Sequence, residues 1–215
     1  LNKYIFMIIN FIKKNEKLYN FYLANFYDYY HELIDTILWI KNLFKDPAPN
    51  WLKHLVIRKH SIYNSIFIET GTFTGYTLIK NRKMFKKIYS FEPSKKFYKI
   101  SKNRLKKFRS IILFNQISEK GLPKLLKKIS GNVTFWLDGH YSGNETYQGP
   151  NKVPIIYELN SIINKKKNIN KFVILVDDYR LFGKKPYPSK NYLKKFCKEN
   201  NLKYKISRDF FIIKN

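Results

Sequence analysis

The stretch SIFIETGTFTGYT, residues 65–77, decides the fold. It begins with a short apolar run, which is typical of a buried β-strand, and passes through two glycines into a segment of helical length. Glycines in such a turn let the backbone bend tightly and let a ligand approach without a Cβ in the way. Their spacing, E-x-G-x-x-x-G, differs from the dinucleotide fingerprint G-x-G-x-x-G. The stretch therefore predicts a turn between a strand and a helix that either binds a ligand or is purely structural.

Apolar runs alternate with lysine-rich or amphipathic stretches through the rest of the chain. The runs lie at 65–69, 88–92, 111–114, 133–138 and 172–177, and the helical stretches at about 75–84, 94–107, 119–130, 153–164 and 188–200. This alternation predicts a mostly parallel sheet covered on both faces. The tail differs, because residues 202–206 and 210–213 flank a polar turn and predict an antiparallel hairpin. The predicted fold is α/β: a Rossmann-like, mostly parallel seven-stranded sheet with helices on both faces and a C-terminal antiparallel hairpin.

The first 46 residues form an N-terminal segment with helical periodicity. Apolar residues recur there at spacings of three and four: Leu18, Tyr22, Phe26, Tyr29, Leu33, Ile37 and Ile40. This stripe predicts an amphipathic helix that packs on the following domain. A homodimer surface, a membrane-surface helix and a substrate lid are the alternatives. The segment DPAPN, residues 46–50, ends the pattern, because proline disfavours helix at itself and at the preceding residue. We predict an N-terminal helical extension over 1–46 and a second domain over 47–215.

The composition is strongly basic, with a net charge of +27. Lysine dominates and is scattered through nearly every segment, which indicates compositional bias; an acidic partner, a membrane surface and nucleic acid are the alternatives. No Arg-rich arm, RNP-like motif or zinc-finger spacing supports nucleic acid. Cys197 is the only cysteine, which excludes an intrachain disulfide and fits a reducing, cytoplasmic location. The apolar run 4–12 is too short for a transmembrane helix, and a signal peptide is not expected.

A second acid follows the next predicted strand. Glu92 ends the run of residues 88–92 and precedes Pro93. Ligands of open α/β sheets bind beyond the carboxyl ends of the strands, where a carboxylate can accept the ribose hydroxyls of a nucleoside cofactor. A solvated charge or a helix-start residue is the alternative for Glu92. Together with the glycine turn, Glu92 favours a site for a nucleoside cofactor.

Residues 68–77 resemble motif I of class I S-adenosylmethionine-dependent methyltransferases. They are most similar to the version found in cation-dependent O-methyltransferases of the catechol and caffeoyl-CoA type. The resemblance covers about residues 50–213 and implies S-adenosylmethionine as the cofactor. It also implies roles for individual residues: the methionine end is held by Glu69, Gly71, Thr72 and Gly75, the ribose by Glu92, and the adenine side by Ser118.

Three further acids follow the fourth and fifth predicted strands. Asp138 follows one, and Asp177 and Asp178 end the other. Adjacent parallel strands would bring these carboxylates together, where their repulsion calls for a cation or a proton. Oxygen ligands suit Mg²⁺, Ca²⁺ or Mn²⁺. The set is similar to the metal ligands of cation-dependent O-methyltransferases, including sugar O-methyltransferases. In the alternative interpretation, Asp177 and Asp178 cap the next turn and Asp138 only touches the cofactor.

A histidine stands close to the first of these acids. By the same resemblance, His140 takes the place of a Lys or Asp that acts near the substrate hydroxyl, which makes His140 and Asp138 the candidate catalytic residues. A divalent ion would lower the pKa of the acceptor hydroxyl while a base removes its proton. The polar loop 142–150 would shape the acceptor pocket.

The expected activity is methylation of a small hydroxylated acceptor, such as a sugar or glycan. A nucleic-acid-modifying enzyme on the same fold and a non-catalytic cofactor-binding protein are the alternatives. The tetrad Asn/Asp-Pro-Pro-Tyr/Phe of amino-methyltransferases is absent after the fourth strand, where residues 138–141 read DGHY. That difference argues against N-methylation of bases.

Overall fold

In the computed structural model, which describes residues 2–139, 147, 149 and 153–215, a seven-stranded sheet forms the centre of the protein. Its strands are β1 Ser65–Thr70, β2 Phe85–Phe91, β3 Ile111–Phe114, β4 Gly131–Leu137, β5 Ile169–Val176, β6 Lys203–Ser207 and β7 Phe210–Lys214. Their order is β3-β2-β1-β4-β5-β7-β6, in which β1 to β5 run parallel and β7 is antiparallel to both of its neighbours. The predicted Rossmann-like sheet and its C-terminal hairpin are therefore confirmed.

Helices cover both faces of this sheet. In chain order the helices are α1 Asn2–Lys13, α2 Glu16–Asn25, α3 Tyr27–Lys41, α4 Asn50–His60, α5 Tyr76–Asn81, α6 Lys95–Leu105, α7 Ser118–Leu126, α8 Ile155–Lys165 and α9 Lys190–Glu199. One buried apolar cluster joins the sheet to α7, α8 and α9. A second joins the other face to α4, α5 and α6. The fold is thus the three-layer α/β arrangement that buries a parallel sheet on both sides.

Helix α4 lies in a stretch where the sequence pattern indicated only a break. Pro49 immediately precedes it in extended conformation, so the proline that interrupts the earlier helical pattern also stands where this helix begins. The helix buries Val56 and Ile57 against the sheet. This position brings Lys53, on the same helix, to the ligand-binding edge.

The N-terminal extension packs on the rest of the molecule with a face that the sequence pattern did not predict. In α2, the buried Tyr19 and Leu23 contact Phe97 and Ile100 of α6. Most of the predicted stripe is instead exposed, namely Leu18, Phe26, Tyr29, Leu33, Ile37 and Ile40. The prediction that this stripe packs on the following domain is wrong for most of its residues, because other side chains of α3, among them Asp28, Tyr27 and Trp39, make that contact. No helix of the described residues has the length and apolar character needed to cross a bilayer.

Candidate functional site

The carboxyl ends of four parallel strands meet at one edge of the sheet. Thr70, the last residue of β1, lies opposite Phe91 of β2 and Leu137 of β4, and Leu137 lies opposite Val176 of β5. The residues that follow these strand ends include those predicted to bind ligands: Gly71, Glu92, Asp138 and Asp177. The sheet register therefore brings the predicted residues to a single edge, where open α/β sheets bind their ligands.

The turn after β1 requires its glycines. Gly71 has a φ of +88°, and a Cβ on it would lie 2.7 Å from the carbonyl oxygen of Asp138. Gly75 has a φ of +78° and precedes the first residue of α5. Residues other than glycine rarely adopt these backbone conformations, and the close approach to Asp138 leaves no room for a Cβ at Gly71. The turn is thus held close to the backbone that follows β4.

A chain of hydroxyl hydrogen bonds links the turn to the acid of β1. The hydroxyl of Ser90 donates to Oε2 of Glu69 at 2.6 Å and lies 2.6 Å from the hydroxyl of Thr72. Because Ser90 has one hydroxyl proton, Thr72 must donate to Ser90. Thr72 therefore holds the turn in place through its side chain. Burial raises the pKa of Glu69 well above its usual value, the Ser90 hydrogen bond opposes that rise, and nearby Asp138 and Glu92 add to it.

The carboxylate of Glu92 anchors the same turn from the end of β2. Its Oε2 accepts the backbone N–H of Phe73 at 2.7 Å, and its Oε1 accepts that of Ser94 at 2.8 Å. Phe73 has a φ of 49°, which is uncommon for a residue with a side chain, so the bond to Glu92 fixes an unusual backbone conformation. Burial raises the pKa of Glu92 to about 7, although both backbone hydrogen bonds lower it. Each oxygen keeps a further lone pair that can accept a ligand hydroxyl.

A buried acid that the sequence analysis did not select stands beneath this edge. Glu158 of α8 is 1% exposed, and burial raises its pKa to about 7 while the nearby hydroxyls of Ser118 and Thr70 oppose the rise. Its Oε1 has no hydrogen-bond partner among the described residues. Ser118, predicted to lie near the adenine, is the first residue of α7 and is buried. The sequence carries one signal for Glu158: it is a lone acid on the apolar face formed by Ile155, Leu159 and Ile162.

The acids that follow β5 are paired with cationic side chains. Nζ of Lys53 lies 2.5 Å from Oδ2 of Asp177 and 4.0 Å from Oδ1 of Asp178. Arg180 bonds both Asp178, at 2.6 Å, and Asp209, which lies between β6 and β7. Burial by itself lowers the pKa of Lys53, but the Asp177, Asp138 and Asp178 carboxylates together raise it above its usual range. Burial raises the pKa of Asp177, and the Lys53 ammonium opposes that rise.

The predicted divalent-metal set is not supported by this geometry. Among the described residues, the carboxylates of Asp177, Asp178 and Asp209 come within 4.8 Å of one another, so Asp209 takes the place expected for Asp138. Lys53 and Arg180 already compensate their charges, and a divalent cation among them would meet two positive groups at close range. The residues present do not fit a metal ion. The sequence alone does not identify Lys53, because nothing distinguishes it among 42 Lys and Arg residues.

A cleft that is partly open to solvent lies beside Asp138 and Asp177. Its lining combines acids with apolar side chains, and Tyr187 contributes a phenol. The described residues that line it include Asp138, Gly139, Pro154, Glu158, Asp177 and Phe182. The predicted base His140, like most of the polar loop 142–150, lies outside the described residues, so its placement is not part of this geometry.

Comparisons with known proteins identify the fold of this chain. No protein-family model matches it, and no curated protein is significantly similar. Among solved structures, the chain is similar to precorrin-6y C5,15-methyltransferase from Geobacter metallireducens, with 11% identity and a TM-score of 0.51 over 77% of this chain and 86% of that one. It is also similar to the 23S rRNA methyltransferase ErmE, with 9% identity and a TM-score of 0.50 over 79% and 67% of the two chains. A Streptococcus mutans protein in complex with SAH matches with 16% identity and a TM-score of 0.49 over 79% and 97%. The first two of these likenesses show that the chain shares the Rossmann-like fold of these methyltransferases.

Proposed function

We propose that this protein is an S-adenosylmethionine-dependent methyltransferase that acts on a hydroxyl group of a small acceptor, such as a sugar or glycan. The observation that best supports this proposal is the position of Glu92. The carboxylate of Glu92, at the end of β2, binds the backbone of the glycine turn through Phe73 and retains a free lone pair on each oxygen. A nucleoside cofactor needs this combination of a close-approach turn and a ribose acceptor.

The residues around the turn fit the parts of the cofactor in a definite order. Glu92 would accept the ribose hydroxyls, Gly71, Thr72 and Gly75 would let the methionine end approach the backbone, and Ser118 would lie towards the adenine. The carboxyl groups of Glu69 and Asp138 lie close to the turn, and burial, Asp138 and Glu92 all raise the pKa of Glu69. The cofactor supplies a methyl group on a positively charged sulfur together with a cationic amine. A cluster of carboxyl groups suits such a ligand, because a positive charge beside them favours their ionised forms.

The cleft beside Asp138 suits the acceptor. We place the acceptor hydroxyl there because acids and a lysine ammonium converge at its edge. The ammonium of Lys53 supplies the positive charge that a metal was expected to supply, and it would favour the deprotonated acceptor oxygen. His140 and Asp138 stay our proposed catalytic pair, with His140 taking the hydroxyl proton and Asp138 orienting the reacting groups. The activated methyl then requires little beyond alignment with the oxygen.

Transfer of a labelled methyl group tests this proposal. Purified protein is incubated with methyl-labelled S-adenosylmethionine and a panel of catechols, sugars and oligosaccharides, with and without EDTA. We expect labelled product that persists in EDTA and is lost in His140→Ala. Binding of the cofactor without transfer to any hydroxylated acceptor would reject the enzyme assignment in favour of a cofactor-binding protein. Activity that EDTA abolishes would restore the metal hypothesis.

The net charge of +27 favours a second candidate, a methyltransferase that acts on nucleic acid. Phosphate binding by many lysines would give an affinity that falls steeply with salt. The acids that line the cleft argue against a phosphate-bearing acceptor at the reacting centre. Ribosomal RNA belongs in the same acceptor panel, and labelled RNA without labelled small acceptors would establish this second function instead.

A further inference from the structure

Helix α3 contacts the rest of the protein through its acids and through the rings of Tyr27 and Trp39. Asp28 is buried, bonds Arg104 of α6, and accepts the Thr74 hydroxyl at 2.8 Å. Glu32 accepts the hydroxyl of Tyr76 at 2.6 Å. Asp35, the remaining acid of α3, is half-buried on the same side of the helix. All the carboxylates of α3 therefore lie towards the protein.

The opposite side of α3 is apolar and faces solvent. Phe26, Tyr29, Leu33, Ile37 and Ile40, which we call the outer helical face, recur at spacings of three and four and so form a single stripe. Each is between 41% and 60% exposed. Soluble proteins rarely leave a contiguous stripe of large apolar side chains open to water without a partner. Further exposed apolar side chains lie on α1, among them Met7 and Phe11.

Basic side chains flank this face. Nζ of Lys80 lies 5.4 Å from the ring centre of Tyr29. Lys41 is the last residue of α3, Lys45 follows it, and both are exposed. An apolar stripe bordered by lysines, with the acids of its helix turned away, is the arrangement that binds the headgroup region of an anionic bilayer.

We propose that the outer helical face binds the surface of an anionic phospholipid bilayer. The apolar side chains would enter the interface while the flanking lysines contact the headgroups. Charge favours this occupant over a second copy of the chain, because two copies that each carry +27 repel one another. This proposal does not depend on the methyltransferase activity, since it concerns α1 to α3 and not the strand ends.

Vesicle sedimentation of the full chain tests the proposal. The protein is mixed with large vesicles of phosphatidylcholine alone or of phosphatidylcholine with phosphatidylglycerol. The face variant is Leu33→Asp with Ile37→Asp. The control is Tyr63→Asp with Ile206→Asp, which changes the charge equally at two exposed apolar residues outside α1 to α3. Circular dichroism confirms that all forms fold.

We expect the wild-type protein and the control to sediment with the anionic vesicles and to bind neutral vesicles weakly. The face variant should lose about tenfold or more in partition, because two apolar side chains no longer enter the interface. No binding of the wild type to anionic vesicles would overturn the proposal. Equal loss in the face and control variants would show that charge alone drives binding, which also overturns it.

Light scattering measures the oligomeric state in solution and so tests whether a second copy of the chain, rather than a bilayer, covers this face. If the wild type is a dimer that does not bind vesicles and the face variant is a monomer, the face binds a second copy of the chain. A further experiment adds single-stranded RNA to the vesicle-bound protein. If RNA removes the wild type, the face variant and the control equally from the vesicles, the interaction is general polyanion binding. Either result would contradict a bilayer as the occupant.

Discussion

The acids at the ends of β1 and β2 and the acids after β5 lie at the same edge of the sheet but in opposite electrostatic states. Glu69 and Glu92 accept hydrogen bonds only from neutral groups of the described residues. Asp177 and Asp178 are paired with Lys53 and Arg180. The first region is therefore short of positive charge, and the second is already neutralised. We therefore expect a cationic ligand in the first region and no metal ion in the second.

Replacement of Lys53 by methionine should have the largest effect, because it leaves Asp177 buried beside Asp138 and Asp178 without its cation. Loss of one partner of a buried ion pair costs on the order of 3–5 kcal/mol in the free energy of unfolding. Chemical denaturation measures the loss. The double variant Lys53→Met with Asp177→Asn should recover most of it.

The same variant tests the metal directly. Mg²⁺ should leave the unfolding midpoint of the wild type unchanged and should raise that of Lys53→Met, in which the carboxylates lack a cation. Stabilisation of the wild type by Mg²⁺ would contradict the view that the second region is already neutralised.

Glu92→Ala should weaken the binding of S-adenosylmethionine by on the order of 100-fold, because it removes hydrogen bonds from a charged acceptor and releases the turn at Phe73. Glu199→Ala, at an exposed acid of α9, is the matched control and should bind as the wild type does. Calorimetric titration measures both variants. Unchanged affinity in Glu92→Ala would remove the ribose role from this residue.

Glu158→Gln should stabilise the protein at alkaline pH. The pKa of Glu158 is raised to about 7 in the folded state, so the carboxyl is held in its neutral form and stability is lost as the pH rises from the unfolded pKa through about 7. The glutamine variant does not titrate. Its advantage should be about 3 kcal/mol at pH 8 and below about 1 kcal/mol near pH 5. An equal advantage at both pH values would show that charge is not the cause.

Cofactor affinity should fall as the pH falls below about 7, by up to about tenfold per pH unit. The pKa of Glu92 is raised to about 7 by burial, and the ionised carboxylate is the better acceptor for ribose hydroxyls. Binding then lowers this pKa and releases a proton. Calorimetry at pH 6 and pH 8, in buffers of different ionisation enthalpy, measures both effects. Proton uptake on binding would contradict the assignment.

The sequence predicted the first region better than the second. A run of apolar residues that ends in an acid and two glycines is a local pattern, and the sheet register then brings Glu92 beside the turn. The ion pair of Lys53 with Asp177 joins residues far apart in the chain, and its partner is one lysine among many. Local patterns in the sequence predict strand ends and turns. They do not predict the charge that compensates Asp177, because Lys53 lies on α4, far away in the chain.

The N-terminal stripe shows a second limit of sequence patterns. Periodicity shows that Leu33 and Ile37 share a helix face, but it does not show which way that face points. The buried pair of Asp28 with Arg104 turns the polar side inward, so the apolar side faces out. The predicted boundary at residue 46, the cofactor assignments and the role of His140 stay predictions.

Calorimetric titration of the wild-type protein with S-adenosylmethionine, in the absence of divalent metal, is the decisive test of cofactor binding at the ends of β1 and β2. We predict a single saturable site, with proton release at pH 7 and no change on addition of Mg²⁺. Absence of binding would contradict it, because the acids at the ends of β1 and β2 would then hold some other cationic ligand or none.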